Sequence, residues 1–242
     1  MTKISTGSFD LNSWLNGGYE KDIITMIAGP PGSGKTNFSI LASCSQSKDN
    51  KKVIFIDTEG GFSIERVKQI VGVDNHEKIL ENIFLLKPTN FEEQKKCFEK
   101  LLIAVKKEQI GLIVVDGMAM LYRLELGDAI HSKDDSNIRE INREIATQMR
   151  VLAEISRKQE IPILITNQVY SGFVSEEDWK KGLKGEANIV GGDLFKYWSK
   201  CIIELKNDGG KKKAILLKHR NLKPKELSFE IRDEGIFRKG WI

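Results

Sequence analysis

Long apolar runs are missing from this 242-residue chain. None approaches the ~20 residues that a membrane-spanning helix needs. The opening Met1-Thr2-Lys3-Ile4-Ser5-Thr6-Gly7 lacks the apolar stretch of a secretory signal, so a cytoplasmic protein is expected. Cysteine is scarce. Cys44, Cys97 and Cys201 lie far apart with no Cys-x-x-Cys spacing, which argues against a disulfide framework or a thiolate metal site. They read as small buried apolar residues in a reduced compartment. His76, His131 and His219 have no metal-ligand spacing either. Internal repeats and low-complexity linkers are absent. At 40% hydrophobic residues the chain can bury one large core, so a single α/β domain over 1–242 is expected.

The net charge is only +4 but it is unevenly placed. From Lys196 to Ile242 there are thirteen Lys/Arg against six Asp/Glu, so this segment carries +7 and residues 1–195 carry −3. Such asymmetry fits an anionic partner for the C-terminal part, with Lys211, Lys212 and Lys213 as its dense cationic stretch. A solvated, lysine-rich strand face that blocks edge-to-edge aggregation explains it equally well.

What the sequence does have is Gly29-Pro30-Pro31-Gly32-Ser33-Gly34-Lys35-Thr36, which spells G-x-x-x-x-G-K-T. Chance produces that pattern in roughly one chain in a hundred of this length. Its flanks sharpen it. Ile23–Ala28 reads as a buried strand and Thr36–Ala42 as the first turns of a helix, the order a phosphate-binding loop needs. Backbone N–H groups of the loop and the helix N-terminus face an anion. Lys35 can reach the β- and γ-phosphates of ATP, and the Thr36 hydroxyl can ligate Mg²⁺.

Further strands are expected at Val53–Asp57, Ile83–Leu86, Leu112–Asp116 and Pro162–Thr166, with helices over about 63–71, 91–108 and 136–159. The last helix carries Ile138, Ile141, Ile145, Met149, Leu152 and Ile155 as a core-facing stripe. Tyr170 to Gly191 has no clear period and reads as a long loop. Cys201–Leu205, Ala214–Leu217 and Leu227–Ile231 then follow as strands without helices between them. Asn207-Asp208-Gly209-Gly210 signals a hairpin between the first two. The fold class is α/β: a mostly parallel sheet flanked by helices and extended by antiparallel strands.

A triphosphate site needs a metal-positioning carboxylate as well. Asp116 ends an apolar strand and has the form required to hold Mg²⁺ beside Thr36. Glu59, just past the second strand, stands where a general base could activate water, or is a surface residue of a glycine-rich turn. Gln168 could sense the γ-phosphate, or is an ordinary residue after a strand.

These residues carry a resemblance. Ser5-Thr6-Gly7, the phosphate loop, Asp57-Thr58-Glu59-Gly60 with Glu65-Arg66, Val114-Val115-Asp116 with Leu121-Tyr122-Arg123, Ile165-Thr166-Asn167-Gln168-Val169 and Gly191-Gly192 together resemble a RecA-type recombinase core. The similarity is strongest to the archaeal RadB branch. It implies a RecA-like ATPase fold in which Glu59 activates water, Gln168 links the γ-phosphate to the following loop, and Arg66 stacks on adenine. It also implies an ATP-binding protein, with weak or no ATPase, that binds single-stranded DNA and assists recombination beside a RadA-type recombinase. Homo-oligomers belong to that expectation. The full recombinases carry an N-terminal helix-hairpin-helix domain and a Phe-x-x-Ala hook, and this chain shows neither. Its two segments matching the family's DNA-binding loops, Gly127–Asp135 and Tyr170–Val190, are acidic on balance, so DNA contacts are expected from the basic C-terminal segment with Lys211, Lys212 and Lys213. Lys218-His219-Arg220 resembles the Lys-x-Arg by which KaiC-like rings contact a neighbour's ATP. There, Lys218 and Arg220 serve ATP in trans, touch DNA, or merely face water. A strand-exchanging DNA-dependent ATPase and a KaiC-like signalling ATPase are the competing readings.

Overall fold

The computed structural model describes residues 3–171 and 187–240. A two-residue strand β1 (Lys3–Ile4), a short helix α1 (Phe9–Trp14) and β2 (Tyr19–Glu20) open the chain, β1 pairing antiparallel with β2. There follow β3 (Ile24–Gly29), α2 (Lys35–Lys48), β4 (Lys52–Asp57), α3 (Ile64–Val71), α4 (His76–Leu80), β5 (Ile83–Leu86), α5 (Phe91–Lys107) and β6 (Ile110–Asp116). Next come α6 (Met120–His131), α7 (Asp135–Gln159), β7 (Ile163–Ser171), β8 (Ala187–Ile189) and a six-residue helix α8 (Asp193–Trp198). The chain ends in β9 (Ser199–Asp208), β10 (Lys211–Lys218), β11 (Lys225–Arg232) and β12 (Gly235–Arg238).

One sheet runs in the order β12-β11-β10-β9-β3-β7-β6-β4-β5, with β8 hydrogen-bonded to β7. The pairs from β9 through β3, β7, β6 and β4 to β5 are parallel; β9 to β12 are antiparallel neighbours. The central strands are apolar on both faces because helices cover both, as a parallel sheet demands. Met26, Ile54, Ile113 and Ile165 pack toward α5, α6, α7 and α8; Ile27, Phe55, Val114 and Leu164 pack toward α1, α2, α3 and α4.

The helix ends follow local chemistry. Ser63, Asn90 and Asp134 cap α3, α5 and α7 by accepting the N–H of Arg66, Glu93 and Asn137. Gly209 and Gly210, at φ 55° and 82°, form the tight turn between β9 and β10 that the Asp-Gly-Gly signal demands. Two segments differ from the sequence expectation. Residues after Leu126, where the resemblance places a loop, continue α6 to His131, since the lone Gly127 does not break a helix that buries Ala129. The strand expected to stop at Thr166 runs on to Ser171 as β7 and pairs with β8. The long-loop reading therefore falls largely on residues 172–186, outside those described.

Candidate nucleotide site

The C-terminal ends of β3, β4, β6 and β7 meet at one edge of the sheet, where open α/β folds place their ligands. β3 ends at Gly29 and the chain turns through Pro30, Pro31, Gly32 and Ser33 into α2. Gly34 at φ 107° is the N-cap and offers no side chain to the first helical N–H groups, which leaves them for an anion. The Lys35 ammonium lies inside the loop, donating to the carbonyls of Gly29 (2.9 Å) and Pro30 (3.1 Å). Burial pulls its pKa below the usual lysine value, against the opposing pull of Glu59 and Asp116. Ser33 Oγ is buried in the loop without a partner.

Thr36 Oγ1 donates to Asp116 Oδ2 at 2.7 Å, and Thr166 Oγ1 donates to Asp116 Oδ1 at 2.6 Å. Thr166 in turn accepts the Gly117 N–H at 2.7 Å. Burial raises the Asp116 pKa to about 6, although both threonine hydroxyls work against the rise. The donor set fits Mg²⁺, which takes one or two protein oxygens and completes its shell with phosphate oxygens and water. Space is kept there: a Cβ on Gly61 would come within 3.1 Å of Thr36 Oγ1 and 3.6 Å of Asp116 Oδ2.

Glu59 is positioned by the turn after β4. Buried Asp57 accepts the N–H groups of Gly61 (3.1 Å) and Phe62 (3.0 Å), while Thr58 Oγ1 donates to the carbonyls of Asp116 and Gly117. Glu59 Oε1 then accepts from Gln168 Nε2 at 3.1 Å. Gln168 also meets the residue just past β8: its carbonyl takes the Val190 N–H, and Asn167 Nδ2 donates to the Val190 carbonyl at 2.8 Å. Glu59, Gln168, Met120 and Arg123 line a shallow notch at this edge.

The structure thus brings Gly29 to Thr36, Asp116, Glu59 and Gln168 together. Arg66, on α3, has its guanidinium on the carbonyls of Arg232 at the end of β11 and of Asp233 in the β11–β12 turn. Lys212 reaches the loop itself, donating to the Gly32 carbonyl at 2.8 Å, whereas Lys213 pairs with Glu226 and Lys211 is exposed. Lys218 and Arg220 lie elsewhere. Lys218 donates to the Lys196 carbonyl, and Arg220 makes a bidentate pair with Asp22 and a contact to Glu20. Asp57, Thr58 and Thr166 stand in the strings that carry the resemblance but have no role of their own there, and Gly117 is not among them. A hydroxyl at the end of an apolar strand becomes a signal only once β6 and β7 are known to be neighbours.

All three cysteines are free and buried, in keeping with their reading as apolar residues. Among the described residues no helix is long and apolar enough to cross a membrane.

Comparison with known proteins agrees with this geometry. The profile of the Rad51 family matches residues 1–239. The chain is similar to the DNA repair and recombination protein RadB of Methanobrevibacter smithii, 39% identical over 97% of this chain and 95% of that one. It is likewise similar to the proteins of that name from Methanococcus maripaludis (42%, covering 93% and 96%) and Methanocaldococcus jannaschii (40%, covering 93% and 98%). Nucleotide binding and a role in recombination are properties of the family. The chain belongs to the Rad51 family.

Proposed function

We propose that this chain is a single RecA-like ATP-binding unit that, with Mg²⁺, assists or regulates homologous recombination on DNA in the cytoplasm, working beside a RadA-type recombinase. The observation that carries the reading is the hydrogen-bonded series Thr36–Asp116–Thr166 set against a phosphate loop whose helix start has no side-chain cap. Bound Mg·ATP would supply the phosphoanhydride and a fixed divalent charge. Lys35 exchanges two carbonyls for phosphate oxygens, a charge-assisted contact of higher strength. Thr36 and Asp116 hold the metal, and Arg66 offers its guanidinium plane to the adenine.

Glu59 is placed to take a proton from water onto its carboxylate, and Gln168 ties that carboxylate to the β7–β8 pair leading into the second family loop. Glu59 is exposed and Gln168 half-buried at the sheet edge. Efficient turnover needs a closed site that orders the attacking water and excludes bulk solvent, so a lone chain with this open edge should hydrolyse ATP weakly or not at all. DNA falls to the basic C-terminal segment, with Lys211 and Lys213 at the β9–β10 hairpin.

Thermal unfolding with and without Mg·ATP tests the reading. Lys35→Ala should abolish nucleotide-dependent stabilisation while leaving the apo midpoint nearly unchanged. Glu59→Gln should keep the affinity and lower any measurable turnover by ~10²-fold or more. Parent-like ATP affinity in Lys35→Ala would overturn the assignment.

A further inference from the structure

Lys212 stands in a run of three lysines, yet alternation along β10 separates its surroundings from those of its neighbours. Its ammonium donates to the Gly32 carbonyl at 2.8 Å, while Lys213 pairs with Glu226 at 3.1 Å. Gly32 lies at the apex of the phosphate loop with φ 71°. A loop that turns its N–H groups toward an anion turns carbonyls outward, and these need donors of their own.

The same outer side of the loop is walled by the rest of the C-terminal meander. A Cβ on Gly29 would lie 2.9 Å from the Leu205 carbonyl oxygen in β9, and one on Gly34 would lie 2.7 Å from Ile231 Cδ1 in β11. The Arg66 guanidinium fastens the β11–β12 turn to α3. The loop is therefore held from outside by β9, β10 and β11 of its own chain. Lys212 is the member of that wall whose ammonium bonds the loop.

We propose that Lys212 is a positioning residue of the nucleotide site in its own subunit. It holds the Gly32 carbonyl outward, so that the loop's N–H groups stay aimed at a β-phosphate, and it adds a second cation beside Lys35. The ligand class is a nucleoside di- or triphosphate, and Lys212 leaves the DNA path assigned to its neighbours. This rests on the ATP-binding reading above and adds a residue that the phosphate-loop pattern does not contain.

Calorimetric titration of the full chain with Mg·ATP, Mg·ADP and AMP tests it, using Lys212→Met, Lys212→Gln and Lys212→Arg, with Lys35→Ala and a Lys211→Gln/Lys213→Gln double variant as references. Losing a charge-assisted hydrogen bond should weaken ATP and ADP about tenfold in the Met and Gln variants. AMP should be unaffected, and Lys212→Arg should recover most of the loss. Their affinity for single-stranded DNA across a salt series should match the parent's, whereas the double variant should lower affinity and slope. Parent-like ATP affinity in both neutral variants, or a loss shared equally by AMP, overturns the proposal. A reduced salt slope with unchanged ATP affinity assigns Lys212 to DNA instead. If Lys35→Ala also binds ATP like the parent, the nucleotide site itself is misassigned, a failure distinct from that of Lys212 alone.

Discussion

Asp116 carries an electrostatic cost that a divalent cation would offset. Buried between two threonine hydroxyls and near Asp57 and Glu59, its carboxyl titrates at about 6, against an ordinary 3.8. The folded chain therefore keeps this proton where the unfolded chain has lost it. Between those two pH values the native state binds more protons, so stability falls as pH rises. Above pH 6 the penalty is complete, about 3 kcal/mol for a shift of this size. Asp116→Asn removes the charge and keeps the shape. In the nucleotide-free chain it should raise stability at pH 7.5 by up to about 3 kcal/mol, with parent and variant converging near pH 4. The same change should erase the Mg²⁺-dependent part of ATP stabilisation, which in the parent should fade below about pH 6. Denaturant midpoints across pH, with and without Mg·ATP, check both. A variant less stable than the parent at pH 7.5 would mean that the threonine hydrogen bonds outweigh the buried charge.

At the scale of the element, the turns after β4 and β6 are built against each other through Gly117. It sits at φ 85°, and a Cβ there would lie 2.4 Å from Thr58 Oγ1 and 2.6 Å from Glu59 Cγ. Gly117→Ala should cost about 1–3 kcal/mol from the left-handed backbone and push Glu59 away from Gln168. Gly127→Ala, inside α6 with open space around it, should be neutral or stabilising by up to ~1 kcal/mol. Urea midpoints separate the two, and equal midpoints would remove the steric argument. These elements also show what a sequence discloses. β3, β4, β6 and β7 are legible because burial on both faces leaves nearly unbroken apolar runs, and the phosphate loop because its chemistry is local. β1, β2 and β12 are too short to show a period. The partners of Arg66 and Lys212 depend on where β10, β11 and the β11–β12 turn come to rest, with contacts 166 and 180 residues apart in sequence. Composition gave the right charge for Lys211 to Lys213 but not the divergent directions of their side chains.

For the whole molecule, the position of Arg220 decides what it can serve. It is paired with Asp22, at the start of the segment that runs through β3 to Gly29. Seven residues of extended chain put roughly 20 Å between Arg220 and its own phosphate loop. A role on ATP must therefore be played on a neighbour's, across a head-to-tail contact in which each subunit gives its loop to one side and its basic pair to the other. Asp22 and Glu20 hold the guanidinium until then, so association has to exchange that bidentate pair for phosphate. Lys35→Ala keeps Lys218 and Arg220, and Arg220→Ala keeps the loop; neither alone should associate in response to ATP. An equimolar mixture should recover about one quarter of the parent's ATP-dependent interfaces, the share in which an intact loop meets an intact pair at random. Asp22→Ala, which removes the bidentate partner and leaves only the Glu20 contact, should lower the ATP concentration needed for association. Mass measurement with and without ATP reads all four samples. Parent-level association by Arg220→Ala alone would exclude the trans role, and loss of DNA affinity with association intact would turn Arg220 into a phosphate contact for DNA.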